Sequence, residues 1–277
     1  MAAGASVVPL FVELELTEEQ QRQIHQQTGI SIGGIVFEST ARSIRVSFAG
    51  LSLQVPRGVF VPTSATEHTC SVAVKAASRW RAPVVVDVGT GCGAVALSIA
   101  HSLRSSSVYG TDISDAAVRA ARRNRVRLSL KNVRFLSGSL LSPLPKRLAG
   151  GVNVIVANAP YVPPQLSEAL AGAFPEGTAI GFGPDGLDLI REIASTARGF
   201  LVPGGSLVLQ LADFQWPAFS KELMALGYSK PRLSPSRTGP VAGTLDWNHK
   251  PAGRHNSRSA FSNSRLIHGR CTRSSPR

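Results

Sequence analysis

The feature that most constrains this chain is the run Val84-Val85-Val86-Asp87-Val88-Gly89-Thr90-Gly91-Cys92-Gly93, followed by the apolar stretch Ala94 to Leu103. The valine-rich segment reads as a buried strand and the stretch after Gly93 as a helix. Three alternating glycines between them let the chain turn tightly and let backbone amides come close to a ligand. The helix N-terminus behind them favours negative charge. Gly89-x-Gly91-x-x-Ala94 also half-matches the dinucleotide pattern, in which the third small residue comes one position later. Asp87, two residues before the first glycine, has no part in that pattern.

The rest of the chain supports an α/β fold. Strands are predicted at Val84–Val88, Val108–Thr111, Val133–Leu136, Val152–Ala157 and Ser206–Leu211. Helices are predicted at Ala94–Leu103, Asp115–Val126, Leu187–Phe200 and Trp216–Leu226. Such alternation implies a doubly wound, mostly parallel sheet. Upstream, Thr17 and Gln20 form a capping-box spacing for a helix ending near Gly29, in an acidic segment Glu13–Glu19 read as helical. Ile44–Phe48 and Leu51–Val55 alternate around Gly50 as a hairpin, Val59–Glu67 reads as a loop, and Cys70–Trp80 as a helix. Residues 1–78 are thus expected to form a small helical and hairpin appendage, a lid or recognition element, before a domain spanning 79–247.

Bulk properties remove several classes. No apolar run approaches the roughly 20 residues of a membrane span, and Met1–Leu16 lacks the basic start of a signal peptide. Cys70, Cys92, Cys271 and the six histidines show no metal-ligand spacing. Sparse, odd-numbered cysteines fit reduced thiols in the cytoplasm. Seven of the 13 net positive charges fall in residues 248–277, after the last acid, Asp246. This basic tail reads as disordered, and it is the one part suited to nucleic acid, because the body lacks basic patches interleaved with aromatics.

Two further segments bear on chemistry. Asp112, with Ile113 beside it, ends the second strand 25 residues after Asp87, where a carboxylate can accept two ribose hydroxyls. Ser114 or Asp115 is the expected cap of the next helix. Ser139, in the loop after the third strand, is either a weak partner for a base or an ordinary loop residue. The fourth strand runs into Asn158-Ala159-Pro160-Tyr161 at the carboxyl edge of the sheet, where ligands bind in such folds. The Asn158 side-chain carbonyl and the Ala159 backbone carbonyl can each accept one hydrogen of a planar NH2 group, and Tyr161 can pack on its flat face. Hydride transfer would need no such grip.

In order along the chain come Pro62-Thr63-Ser64-Ala65-Thr66-Glu67, Asp87-x-Gly89-Thr90-Gly91-x-Gly93, Asn158-Ala159-Pro160-Tyr161, Pro175-Glu176, Ala179-Ile180-Gly181 and Gly183-Pro184-Asp185-Gly186-Leu187. Together they resemble the HemK/PrmC family of protein glutamine methyltransferases, over roughly residues 45–230. The resemblance implies a Rossmann-like class I methyltransferase with a seven-stranded sheet and S-adenosyl-L-methionine as cofactor. It places Asp87, Gly89, Thr90, Gly91, Gly93, Asp112, Ile113, Ser139 and Asn158 around that cofactor, and Asn158, Ala159, Pro160 and Tyr161 at the acceptor nitrogen. The implied substrate is the glutamine of the Gly-Gly-Gln loop of peptide-chain release factors. Departures fall at Thr63 (Arg in the family), Ser139 (an acid), Ala159 (Pro), Phe182 (Gly) and Gln210 (Glu), and the appendage is short for the family's helical bundle. They leave open a small-metabolite acceptor, a nucleobase amine, or a non-catalytic binding module.

Overall fold

The computed structural model describes residues 12–15, 35–38, 43–165, 181–236 and 239–247. The helix expected at Thr17–Gln27 and the tail 248–277 lie outside them. Val12–Glu15 (β1) pairs antiparallel with Ile35–Glu38 (β2). The acidic segment is therefore a strand at its start, not a helix. Ser43–Phe48 (β3) and Leu51–Pro56 (β4) form the expected hairpin, turned at Ala49-Gly50 with both residues at positive φ.

Seven strands build the central sheet: Val84–Val88 (β5), Ser107–Asp112 (β6), Val133–Ser137 (β7), Val152–Ala157 (β8), Leu201–Leu211 (β9), Tyr228–Ser236 (β10) and Gly239–Trp247 (β11). Their order is β10-β11-β9-β8-β5-β6-β7, with β11 antiparallel to both neighbours and β5 through β9 parallel. This is the doubly wound, Rossmann-like sheet the alternating pattern predicts. The pair β10–β11 escaped the residue pattern. Pro231 and Pro235 interrupt β10, which tolerates them because it is an edge strand whose register shifts beside each. Its hairpin is pinned by the buried Asp246, which accepts from Ser206 Oγ at 3.0 Å and pairs with Arg79 and Arg232 at 3.4 and 3.3 Å.

Helices Ser64–Ala77 (α1), Ala94–Ser102 (α2) and Asp115–Arg127 (α3) share one core with the hairpin and one face of the sheet, through Phe48, Leu53, Ala73, Leu97, Val118 and Val156 among others. Helices Asp188–Ala197 (α4) and Trp216–Ala225 (α5) cover the other face, where Ile155, Ile190, Ile193, Leu209 and Phe219 are fully buried. β8 is buried along its whole length, so it sits at the centre with β5 beside it.

The residues 59–67 expected to be a loop are partly helix. α1 begins at Ser64, capped by Thr63, whose Oγ1 accepts from Thr66 N while Thr66 Oγ1 accepts from Thr63 N. The buried side of this helix is Ala65, Thr66, Thr69, Cys70, Ala73, Ala76 and Ala77, small residues that give little apolar signal. α1 packs across α2, β8, β9 and β11. That placement carries its first two turns to the carboxyl ends of the central strands.

Candidate active site

Val88 of β5 is in register with Ala157 of β8, so the residues that follow them, Gly89 and Asn158, leave the sheet side by side. The strand order reverses at this point, β6 lying on one side of β5 and β8 on the other, and crevices at such points are where open α/β sheets bind ligands. A Cβ built on Gly89 would lie 4.0 Å from the Asn158 carbonyl oxygen, and one on Gly91 would meet nothing within 4 Å. The glycine loop and the tetrapeptide thus face each other across open space.

Backbone and one acid fix the loop. Gly89, Gly91 and Gly93 all lie at positive φ, which a residue with a side chain rarely adopts. Gly89 N and Thr90 N both donate to Thr111 O at 2.9 Å. Asp87 is 2% exposed; its Oδ2 accepts from Thr90 Oγ1 at 2.6 Å and from Ala96 N at 3.1 Å. Burial pushes its carboxyl up to about 6, against the opposing pull of those two hydrogen bonds. Thr90 is buried with its hydroxyl committed to Asp87. The two act from beneath the loop and fix its path along the crevice.

Asp112 sits at the rim. Its Oδ2 accepts from Gly91 N and its Oδ1 from Ser114 N, each at 2.9 Å. Ser114, not Asp115, is the helix cap. Ile113 is 78% exposed, an unusual state for isoleucine and one suited to covering a flat ring. Ser139 is exposed one turn further along the same edge, beyond Gly138, whose N–H donates to Asp112 O. The loop thiol of Cys92 and that of Cys70 are buried and pushed up to about 12, which removes both as nucleophiles.

The tetrapeptide is held from distant parts of the chain. Asn158 Nδ2 donates to Thr66 Oγ1 at 3.0 Å. Gln210 Nε2 donates to the Tyr161 hydroxyl at 3.3 Å, and Thr69 Oγ1 donates to Gln210 Oε1 at 3.0 Å. Burial raises the Tyr161 phenol above its ordinary range, so it stays neutral. Gln215 Nε2 donates to both Tyr161 O and Asp185 O at 2.8 Å, tying the tetrapeptide to the loop 181–187. That loop lies backbone to backbone on Tyr161–Pro163: a Cβ on Gly186 would fall 2.4 Å from Tyr161 O. Asp185 is held down by Arg191, which also pairs with Glu222 of α5 at 2.8 Å, and the same guanidinium holds the Asp185 carboxyl below its usual range. Ala159 is buried at 3% exposure, while Pro160 and Asn158 are half-buried.

The structure therefore gathers Asn158, Ala159, Pro160 and Tyr161 opposite Gly89, Gly91 and Asp112, with Ile113 and Ser139 along the same edge and Asp87, Thr90 and Gly93 supporting from inside. Thr69 and Gln215 were not legible as site residues, and Gln210 was legible only as a departure from a pattern. The contacts that tie them to the site span 30 to 141 residues, so no local spacing marks them. Pro175-Glu176 and Ala179-Ile180 lie outside the described residues.

Comparison with known proteins places the chain in a family. A family model described as a methyltransferase domain matches residues 81–224. The chain is 36% identical to the release factor glutamine methyltransferase of Deinococcus radiodurans, over 70% of this chain and 68% of that protein. It is 35% identical to the release factor glutamine methyltransferase of Moorella thermoacetica, over 69% and 68%. A solved structure of the T. thermophilus 16S rRNA N2 G1207 methyltransferase, in complex with AdoMet and guanosine, superposes with a TM-score of 0.55 at 18% identity, covering 75% of this chain and 50% of that one. This last likeness is one of fold alone. The open cradle over Gly91 fits a nucleoside-bearing cofactor, and S-adenosylmethionine is the methyl donor of this enzyme. The chain is a methyltransferase and belongs to the HemK/PrmC family, that of the release factor glutamine methyltransferases.

Proposed function

We propose that this enzyme methylates the side-chain amide nitrogen of a glutamine, the one in the Gly-Gly-Gln loop of a peptide-chain release factor. One observation carries the reading. The Asn158 amide nitrogen is anchored on Thr66, which leaves its Oδ1 as the end available to an acceptor, and the Asn158 backbone carbonyl lies beside the glycine loop. A carbonyl oxygen there accepts an N–H and suits an amide or amine acceptor. It gives no help to a carbon or hydroxyl nucleophile that must lose a proton first.

S-adenosylmethionine supplies a methyl group on a sulfonium, which passes to the acceptor nitrogen as the carbon–sulfur bond breaks and a neutral thioether leaves. The residues of this chain supply placement and polarisation. Asn158 Oδ1 and the Ala159 carbonyl take the two N–H bonds of the acceptor, which holds its plane and turns its lone pair toward the methyl group. The nitrogen's surplus proton leaves to solvent after transfer, since the neutral Tyr161 phenol and the buried thiols offer no base. Asp112 holds the nucleoside end of the cofactor over the glycine loop; Ile113 and Ser139 border its base. Asp87 and Thr90 act through the loop they brace.

The test uses methyl-labelled cofactor with purified release factor, total RNA and a metabolite extract in separate reactions. Label on release factor is expected, and it should fall by about 10²-fold or more in Asn158→Ala, with cofactor affinity by calorimetry retained. Label that appears only on RNA or a small metabolite overturns the substrate. Full turnover by Asn158→Ala overturns the mechanism.

A further inference from the structure

We propose that the first two turns of α1 set the polarity of the acceptor grip, with Thr66 as the positioning residue for Asn158. This rests on the reading of Asn158 given above. An asparagine amide is nearly symmetric in shape, and its two planar orientations differ only in which end, oxygen or NH2, faces the ligand. An NH2 facing the acceptor nitrogen would set hydrogen-bond donor against donor. The fold must therefore choose an orientation, and packing alone chooses poorly between groups of equal size.

Thr66 makes that choice. It is 3% exposed and its Oγ1 lies 3.0 Å from Asn158 Nδ2, across 92 residues of chain. Its Oγ1 lies 3.2 Å from Thr63 Oγ1, inside the helix cap, where either hydroxyl can donate. With Thr66 donating there, its oxygen faces Asn158 as an acceptor. Three residues on, on the same face of α1, the fully buried Thr69 donates to Gln210, which in turn holds the Tyr161 hydroxyl. One short stretch of helix thus reaches both ends of the tetrapeptide through buried polar contacts. Buried hydroxyls without such partners would be costly to keep.

Thr66→Val removes the hydroxyl and keeps the shape; Thr66→Ser keeps the hydroxyl; Ala73→Gly weakens the same helix, two turns on, and leaves the Thr63–Thr66–Asn158 contacts. Rates are taken per cofactor-binding site, with release factor as acceptor. Thr66→Val should lower kcat on the order of 10²-fold, the scale of an ångström-level misplacement of a reacting group, with cofactor affinity unchanged. Thr66→Ser should restore kcat, and Ala73→Gly should lower the melting temperature and spare kcat. In nitrogen-proton NMR spectra the side-chain amide signal of Asn158, assigned by its loss in Asn158→Ala, should shift in Thr66→Val and stay in place in Ala73→Gly. A Thr66→Val enzyme of full kcat, or a Thr66→Ser enzyme as slow as Thr66→Val, overturns the inference. So does an Ala73→Gly enzyme that loses as much kcat as Thr66→Val, since the effect would then be helix stability. If Asn158→Ala is inactive while Thr66→Val is not, this inference alone fails; if Asn158→Ala turns over freely, the functional reading fails with it.

Discussion

The two halves of the crevice are built in opposite ways. The glycine loop is held by partners close in sequence: Asp87 reaches Thr90 and Ala96, and Gly91 reaches Asp112, the longest of these spans being 21 residues. The tetrapeptide 158–161 is held by Thr66, Gln210 and Gln215, at separations of 92, 49 and 54 residues. The cofactor side is a strand, a turn and a helix that carry their own restraints. The acceptor side is an exposed strand end that takes its geometry from α1, β9 and the loop 181–187. A half built from local contacts tolerates change elsewhere in the fold; a half built from distant ones registers it. Substrate choice can therefore drift while the cofactor loop stays as it is, and four of the five departures noted from the sequence, Thr63, Ala159, Phe182 and Gln210, lie on the acceptor side.

The largest expected effect comes from loading the local half with a side chain. Gly93 caps α2 at φ 88, and a Cβ there would meet Leu97 Cδ1 at 2.9 Å, Ala121 Cβ at 3.0 Å and Phe135 Cζ at 3.1 Å. Strained backbone plus overpacking should make Gly93→Ala less stable by roughly 4 kcal/mol. Gly91→Ala, at φ 57 with no neighbour within 4 Å, should cost only the backbone strain, about 1 kcal/mol. Urea denaturation of the pair checks the contrast; equal losses would mean that the loop is not packed as described.

Next in size is a pH effect confined to the loop. Asp87 binds its proton more tightly folded, near pH 6, than unfolded, near 3.8. Its neutral form fits the fold, so the stability it contributes is complete below about pH 4 and is lost as pH rises through 6. The loss amounts to roughly 3 kcal/mol for a shift of this size. Asp87→Asn keeps one oxygen to accept from both Thr90 and Ala96 and carries no charge. It should match the parent near pH 4 and exceed it near pH 7, as read from melting temperatures across that range. An Asn variant weaker than the parent at pH 7 would show that the buried charge is compensated.

The smallest effect sharpens the comparison from the rim. Asp112→Ala removes both the acceptor for Gly91 N and the carboxylate proposed to hold the cofactor. Charged hydrogen bonds of this kind are worth about 1.5–3 kcal/mol. Cofactor affinity should fall accordingly, by about tenfold to a hundredfold, with the KM for the acceptor little moved. Calorimetry and initial rates separate the two constants. A change confined to the acceptor KM would place Asp112 in the wrong half.

What was legible in the sequence follows the same division. The strand, glycines and helix of residues 84–102 declare themselves because the hydrogen bonds of Asp87 and Gly91 span only 3 to 21 residues, and periodicity plus glycine placement records such short-range restraints. The cap of α3, narrowed to Ser114 or Asp115, and the β3–β4 hairpin were readable for the same reason. The start of α1 was misread as loop because its buried side is small and polar, and β10 was passed over because prolines sit on an edge strand where no neighbour needs their N–H. Val12–Glu15 gave no sign of pairing, since its partner lies beyond a 19-residue gap.

By itself the sequence determined the class of sheet, the cofactor loop and the tetrapeptide proposed to grip a nitrogen, all products of short-range geometry. Only the tertiary structure decided which way that grip faces. The choice falls to Thr66, Gln210 and Gln215, whose side chains mean nothing until helix α1, strand β9 and the segment after it are folded against the end of β8. Hydrogen bonds between buried groups are specified by positions in space, and the order of residues along a chain does not encode those positions one at a time.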